Sequence, residues 1–363
     1  MSPRKHKLTS MSLFSGCGGL DLGLTQAGFD VLLANDNDAH CVASYDLNFG
    51  AGRILHGSVT QIDESVINDR LGSKLAKGRH IDLLAGGPPC PPYSKSRFYR
   101  KNKPRALADP IGEETLRGYL HTLDILRPRA FLFENVFGFA YRVHKDAFNC
   151  LLSTAESLGY QCSSAVLNAA DYGVPQIRQR FFMVGMLGHK FKFPPPTHRD
   201  PGKAELNGVS LPSWTTAGEA IGDLDTLEKA DDKGHFAGGK HNDILKLIPP
   251  GDNYLFFTKE RGYAKPLFKW RSRYWSFLLK LSPTMPSWTI QARRSNNMGP
   301  LHWRNRMLRI EEVKRLQGFP DDWKLTGTIE KQWRQIGNAV PPPLAKVIGT
   351  AIRAQLESCG ATS

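Results

Sequence analysis

One cysteine in the chain is held as a nucleophile would need to be. The run Gly86-Gly87-Pro88-Pro89-Cys90-Pro91-Pro92-Tyr93-Ser94 places Cys90 among four prolines, directly after residues 81–85, an apolar stretch of strand length. In open α/β sheets ligands bind at the carboxyl edge of the strands, so a stiff turn there would hold one thiol in one place. The competing reading is a stiff loop around an inert thiol. A second piece is Glu134, at the end of the apolar stretch 130–133. A carboxyl buried at a strand end has a raised pKa, which suits a proton donor near neutral pH. A third is the pair Arg178 and Arg180, which alternate on one face of an extended segment leading into the strand 181–185. Two guanidiniums on one face could hold a planar base or carboxylate by paired hydrogen bonds, or could form a surface salt bridge.

These groups can cooperate only if one sheet gathers them. Residues 10–15 read as a strand running into Gly16-Cys17-Gly18-Gly19-Leu20 and a helix over 21–28. Strand, glycine turn and helix form a nucleotide-type pocket, because glycine admits a close ligand and the helix start offers free N–H groups. The full G-x-G-x-x-G spacing is absent, which disfavours a dinucleotide. A second strand, 30–34, ends at Asn35-Asp36-Asn37-Asp38. Asp36 is placed to bind ribose hydroxyls or to cap the helix 40–48, a cap that Asp38 can also supply. A third unit comprises strand 53–56, Gly57-Ser58-Val59 and a helix over 63–76; further helices are expected at 113–126 and 145–158, and a strand at 160–168. Pro194-Pro195-Pro196 and the polar stretch to Pro212 mark a domain boundary. Late in the chain, 310–317 is helical, and Gln335 to Pro343 opens a last helix over 344–356.

Composition narrows the partners. The 363 residues carry a net charge of +14, which suggests a polyanion such as nucleic acid. Residues 253–309 hold twelve Lys or Arg and one acid, Glu260, interleaved with eleven aromatics; residues 95–105, just after the cysteine turn, are basic with no acid. Such runs can be plain solvated faces, but one beside a rigid cysteine and one among aromatics favour a nucleic-acid surface. Six cysteines without C-x-x-C or zinc spacing argue against a disulfide framework or a structural metal. No apolar run approaches a membrane span, and the basic start, residues 2–7, lacks the apolar region of a signal peptide, so a cytoplasmic protein is expected.

A fixed thiol, an acid, guanidiniums and an adenosyl-type pocket beside a nucleic-acid surface suggest methylation of cytosine at C5. Thiolate attack at C6 makes C5 nucleophilic, provided that charge is neutralised at N3 and O2. Glu134 could serve N3 and Arg178 could hold O2. S-adenosylmethionine would supply the methyl group, and the target base must leave the duplex stack to be reached.

The sequence resembles the DNA (cytosine-5)-methyltransferase family. The resemblance rests on six segments in the family's order: residues 14–20, 87–90, 134–136, 172–180, 315–320 and 335–341. It implies a Rossmann-like α/β methyltransferase sheet with a second, smaller target-recognition domain. The implied division is 1–194 for catalysis and cofactor binding, 195–308 for target recognition, and 309–363 returning to the catalytic domain. It implies Cys90 as nucleophile, Glu134 as the N3 partner, and Arg178 and Arg180 as the cytosine-holding pair. The cofactor pocket would comprise Phe14, Gly16, Cys17, Gly19, Leu20, Asp36, Asn37, Ser58, Val59, Pro89, Asn338 and Val340. Ser94, Lys95 and Arg97 would lie in a loop that closes on double-stranded DNA.

The short chain resembles the bacterial enzymes of restriction–modification systems, which implies a monomer in the nucleoid-containing cytoplasm and a cognate restriction endonuclease as genetic partner. Two departures stand out. Many members have Asp where this chain has Ser58, which weakens the expected contact to the adenine amino group, and Pro91 replaces a common Gln. For base reading, Arg293, Arg294 and Asn296 in the run 291–297 have suitable donors and acceptors, with Arg271 and Arg273 as alternatives. Other readings are an amino-methyltransferase, a tRNA cytosine-5 methyltransferase, and a catalytically inactive DNA-binding protein.

Overall fold

The structure, a computed structural model, describes residues 7–72, 80–89, 91–93, 106–203, 210–226 and 236–359. Its first half alternates strand and helix: β1 (Thr9–Leu13), α1 (Gly19–Gln26), β2 (Asp30–Asp36), α2 (Ala39–Phe49), β3 (Ile54–His56), α3 (Glu64–Leu71), β4 (Leu83–Gly86), α4 (Pro110–Leu126) and β5 (Ala130–Val136). Then follow α5 (Lys145–Ser157), β6 (Tyr160–Asn168), β7 (Gln176–Ile177) and β8 (Gln179–Leu187). Seven strands form one sheet in the order β3-β2-β1-β4-β5-β8-β6. The first five are parallel, and β8 runs antiparallel to both β5 and β6. The chain winds outward from β1 to β3, then returns to place β4 on the other side of β1. The switch point of this Rossmann-like sheet therefore falls between the carboxyl ends of β1 and β4, where such sheets bind ligands.

Alternation along β5 shows how the two faces are filled. Phe131 and Phe133 point into a core built with Leu116, Tyr119 and Leu123 of α4 and Leu151 of α5. Ala130 and Leu132 face the opposite core, with Leu20 and Leu24 of α1 and Leu344, Ile348 and Ile352 of the last helix, α10 (Pro342–Cys359). Strands buried on both faces read as continuous apolar runs, which is why they were visible in the sequence.

Helix starts follow local capping. Asp38 accepts from the His40 N–H, Asp63 from Val66, and Asp109 from Ile111. Pro110 begins α4 three residues before the expected start, because proline suits a first helical turn. The helix expected over 63–76 is seen as α3 up to Leu71; residues 73–79 lie outside those described.

Beyond β8 come the short α6 (Ala217–Ile221), α7 (Asn242–Leu247) and β9 (Ser287–Trp288), then α8 (Ile310–Gln317) and α9 (Ile329–Asn338). Tyr254, Phe257, Leu278 and Leu301 form a separate apolar cluster in this stretch. Another cluster joins Ala217, Leu281 and Ile290 to Val313, Leu316 and Trp333 of α8 and α9, and to Cys17 behind the glycine turn. Arg306 makes a buried two-pronged ion pair with Glu312, at 2.9 and 2.6 Å, at the start of α8. Among the described residues, no helix is long and apolar enough to cross a membrane.

The return of α10 onto α1 depends on Gly23. A Cβ there would lie 2.4 Å from the Ala345 Cβ and 2.5 Å from the Pro342 carbonyl oxygen. Gly23→Ala is therefore expected to destabilise the protein by about 1–3 kcal/mol through overpacking. Denaturant unfolding measures this, and an unchanged midpoint would contradict the packing described.

Candidate active site

The carboxyl ends of β1, β2, β4 and β5 border one cavity of about 300 Å³, closed on its far side by the segment from Arg334 to Val340. At the β1 end, Phe14 and Gly16 both adopt left-handed backbone, with φ of 55° and 57°. Such backbone is uncommon for an aromatic residue and marks a constrained site. A Cβ on Gly16 would meet nothing within 4 Å, so the turn leaves room for a ligand against its backbone.

Asp36 ends β2 and holds this turn in place. Its carboxylate accepts from the Gly16 N–H at 2.8 Å and from the Asp38 N–H at 2.9 Å. Burial pushes its pKa up, partly offset by these backbone donors. A carboxylate has about four lone-pair sites, so two bound N–H groups leave acceptor capacity for hydroxyls. The helix cap is made by Asp38, which is also paired with Arg334 of α9.

At the other end, Glu134 and Arg180 meet across β5 and β8. The Arg180 Nε lies 3.2 Å from a Glu134 carboxylate oxygen, and both side chains are largely buried. Burial raises the Glu134 pKa, while Arg180 and then Arg178 pull it down, and the net direction is upward. The turn after β4 touches this pair: a Cβ on Gly87 would come within 2.7 Å of the Glu134 Oε2. Asn135 fixes the same turn by donating to the Pro88 carbonyl at 3.2 Å. Cys90 lies outside the described residues, as do Ser94, Lys95 and Arg97. The residues before it, Gly87 to Pro89, line the cavity beside Glu134.

The two arginines do not share a face, contrary to the sequence expectation. Arg178 sits in the break between β7 and β8 and is fully buried. Its guanidinium donates to the carbonyls of Ile290 at 3.1 Å, Gly337 at 2.8 Å and Ala339 at 3.0 Å. Strand alternation fails here because β7 leaves the main sheet to pair with β9. Arg180 alone of the pair lines the cavity.

The remaining expected residues divide similarly. Leu20, Asn37, Pro89, Asn338 and Val340 line the cavity with Phe14, Gly16 and Asp36. Cys17 is fully buried behind the turn, where burial raises its thiol pKa to about 12. Gly19 lies behind the lining: its Cβ would approach the Val340 carbonyl oxygen to 2.5 Å. Ser58 and Val59 stand beyond β3, with Val59 in the core under Gly118. Cys41, Val136, Arg334 and Gln335 line the cavity although sequence reasoning did not select them. Val136 and Gln335 lie within the segments 134–136 and 335–341, and Arg334 directly precedes the latter, so only Cys41 left no usable signal.

Of the residues expected to read bases, Arg271, Arg273 and Arg293 are exposed. Arg271 lies over the Trp270 ring and Arg273 over Phe277, with centroid distances of 5.8 and 5.9 Å. Both border a second cavity, of about 800 Å³, with Trp270, Tyr274 and Trp275. Arg294 is instead mostly buried and bonded to Glu330 of α9 at 3.2 Å. The Asn296 carbonyl accepts from the Gly238 N–H at 2.6 Å.

This division between the arginines is testable. Arg178→Ala removes several charge-assisted hydrogen bonds and should cost about 3 kcal/mol or more of stability. Arg180→Ala should cost little by comparison, because Glu134 can take up a proton once its partner is gone. Thermal melts of the two variants measure the difference; equal losses would contradict it.

Comparison with known proteins bears on the same site. Residues 8–354 match the family model for C-5 cytosine-specific DNA methylase. The Type II methyltransferase M.SacI of Streptomyces achromogenes is 36% identical, covering 97% of this chain and 94% of that protein. The Type II methyltransferase M.NgoFVII of Neisseria gonorrhoeae is 32% identical, covering 94% and 85%. Among solved structures, a DNA modification methyltransferase encoded in an E. coli prophage superposes with a TM-score of 0.66 at 21% identity, covering 96% of this chain and 99% of the other. The S. pombe Dnmt2 methyltransferase gives a TM-score of 0.58 at 16% identity, covering 98% and 99%. These two likenesses concern the fold, whereas the family model spans nearly the whole chain, and on that basis the protein is a member of the C-5 cytosine-specific DNA methylase family.

Proposed function

We propose that the chain methylates C5 of one cytosine within a specific double-stranded DNA sequence, with S-adenosylmethionine as donor and Cys90 as nucleophile. The observation that carries this reading is the buried Glu134–Arg180 pair beside the Gly87–Pro89 turn that leads to Cys90, at one end of a cavity whose other end is Asp36.

The donor fits the residues present. Asp36 has acceptor capacity for ribose hydroxyls, Phe14, Leu20 and Val340 give apolar walls, and Gly16 leaves space against its backbone. The bound donor supplies an electrophilic methyl group to a nucleophilic C5. The protein makes C5 nucleophilic. Cys90 thiolate adds to C6 of a cytosine turned out of the stack, and the electron pair displaced from the C5–C6 bond moves toward N3. Glu134 gives a proton to N3, for which its raised pKa suits it. Arg180, rather than Arg178, would hold O2 and keep Glu134 oriented, because it lines the cavity and pairs with Glu134. After methyl transfer, loss of the C5 proton to a base expels the thiolate from C6, restores the ring and returns the N3 proton.

The wider reading rests on resemblance and charge. Residues 1–194 and 309–363 would form the catalytic unit, with 195–308 as the target-recognition domain. The relatives named Type II methyltransferase support a modification enzyme with a cognate restriction endonuclease; a monomer acting on DNA in the bacterial cytoplasm is what the family resemblance implies. Of the arginines expected to read bases, Arg271, Arg273 and Arg293 are exposed toward solvent, whereas Arg294 would position its loop through Glu330.

Mass spectrometry of duplex DNA incubated with the protein and methyl-labelled donor should find labelled 5-methylcytosine. Cys90→Ser should abolish it, and Glu134→Gln should slow it by about 10²–10⁴. Activity should also fall as pH rises through the raised Glu134 pKa, since the donor form is the protonated one. Label on an amino nitrogen, or full activity in Cys90→Ser, would overturn the mechanism.

A further inference from the structure

Ser58, just past the carboxyl end of β3, brings no charge of its own to the adenine end of the proposed donor. The sheet itself indicates where that end must lie. On the reading proposed above, methyl transfer takes place at Glu134, on β5, and Asp36, on β2, reads the ribose; both line the cavity. Along the strand order, the line from β5 through β4, β1 and β2 continues to β3. Strands stand about 4.8 Å apart, so the base attached to a ribose at Asp36 reaches the carboxyl end of β3. That end is Gly57-Ser58. It is tied to the Asp36 rim by the Gly57 N–H donating to the Asp36 carbonyl at 3.1 Å, and by Asn35 Nδ2 donating to the Gly57 carbonyl at 3.0 Å.

Ser58 is poorly equipped to meet an amino group alone. Its Oγ donates its one proton to Glu114 at 2.8 Å and accepts from the Thr60 N–H at 3.3 Å. The hydroxyl is thus turned toward a carboxylate. Glu114 lies just past the first turn of α4, which packs on the short helix after Ser58 through Gly118 and Val59. Its neighbour Glu113 is paired with Arg117 at 2.8 Å, whereas the contact made by Glu114 is the Ser58 hydroxyl. A carboxylate bound through one oxygen by one hydroxyl has acceptor sites to spare.

We propose that Glu114 supplies the carboxylate that accepts the adenine amino group of the donor, with Ser58 as its positioning residue. The charge beside the β3 turn comes from α4. The inference rests on S-adenosylmethionine being the donor, as proposed above.

Calorimetry can test it with two ligands: S-adenosylhomocysteine and its analogue carrying purine in place of adenine, which lacks the amino group. The unmutated protein should prefer the adenine ligand by about tenfold or more, as expected for a hydrogen bond to a charged acceptor. Glu114→Ala should bring the two affinities together by weakening only the adenine ligand. Glu114→Gln, which keeps shape and one acceptor, should retain part of the preference, and Ser58→Ala should reduce it. A preference unchanged in Glu114→Ala, or an equal loss for both ligands, would overturn the assignment while leaving the donor intact. No binding of S-adenosylhomocysteine by the unmutated protein would overturn the donor reading itself, and this assignment with it.

Discussion

The cavity depends on a buried guanidinium. Arg178 is fully inaccessible to solvent, and a charge taken out of water must be met by hydrogen bonds. It is met by three carbonyls, of Ile290, Gly337 and Ala339, which lie far from it in the chain. Two glutamines extend the network. Gln176 donates to Gln317 at 2.6 Å and to the Leu316 carbonyl at 3.1 Å, and accepts from the Ile290 N–H at 3.1 Å. Gln317 donates in turn to the Ala339 carbonyl at 2.6 Å. Three of the six segments that carry the family resemblance therefore meet at one polar knot. The cavity wall formed by residues 337–340 hangs from it. Close packing reinforces the junction: a Cβ on Gly337 would approach the Gln291 carbonyl oxygen to 2.7 Å.

This knot also explains why two arginines two residues apart have separate work. In a continuous strand both would face one way. Here β7 pairs with β9 in a two-stranded sheet, and β8 belongs to the main sheet. Residue 178 bridges the two and turns inward, while Arg180 resumes the strand and faces Glu134. The active-site pair is thus built at the carboxyl end of β5 beside the start of β8, and the knot next to it keeps the late part of the chain in register with that end of the sheet.

Much of the sheet was legible because its strands are apolar on both faces and end in recognisable turns. The positions of Glu134 and Asp36 followed from strand ends alone. Two-residue strands such as β7 and β9 carry no periodicity, so the split between Arg178 and Arg180 could not be read. The ion pair of Asp38 with Arg334 joins residues distant in the chain and left no local trace. Composition was likewise blind within residues 253–309. Tyr254 and Phe257 turn out to be core, whereas Trp270, Tyr274 and Trp275 are exposed beside Arg271 and Arg273. A count of aromatics and cations treats these alike, and only packing separates them. The hydrogen bond from Ser58 to Glu114 belongs to the same class: the substitution was visible, but not its compensation from another helix.

The most direct measurement is a crystal structure of the protein bound to the demethylated donor and trapped on duplex DNA with 5-fluorocytosine at the target, where the fluorine cannot leave as the C5 proton does. Expected there are a bond from the Cys90 Sγ to C6 of an extruded base, the Glu134 carboxyl within hydrogen-bond reach of N3, Arg180 at O2, and Arg178 still enclosed by its three carbonyls. A guanidinium of Arg178 on the base, with those carbonyls released, would contradict this expectation.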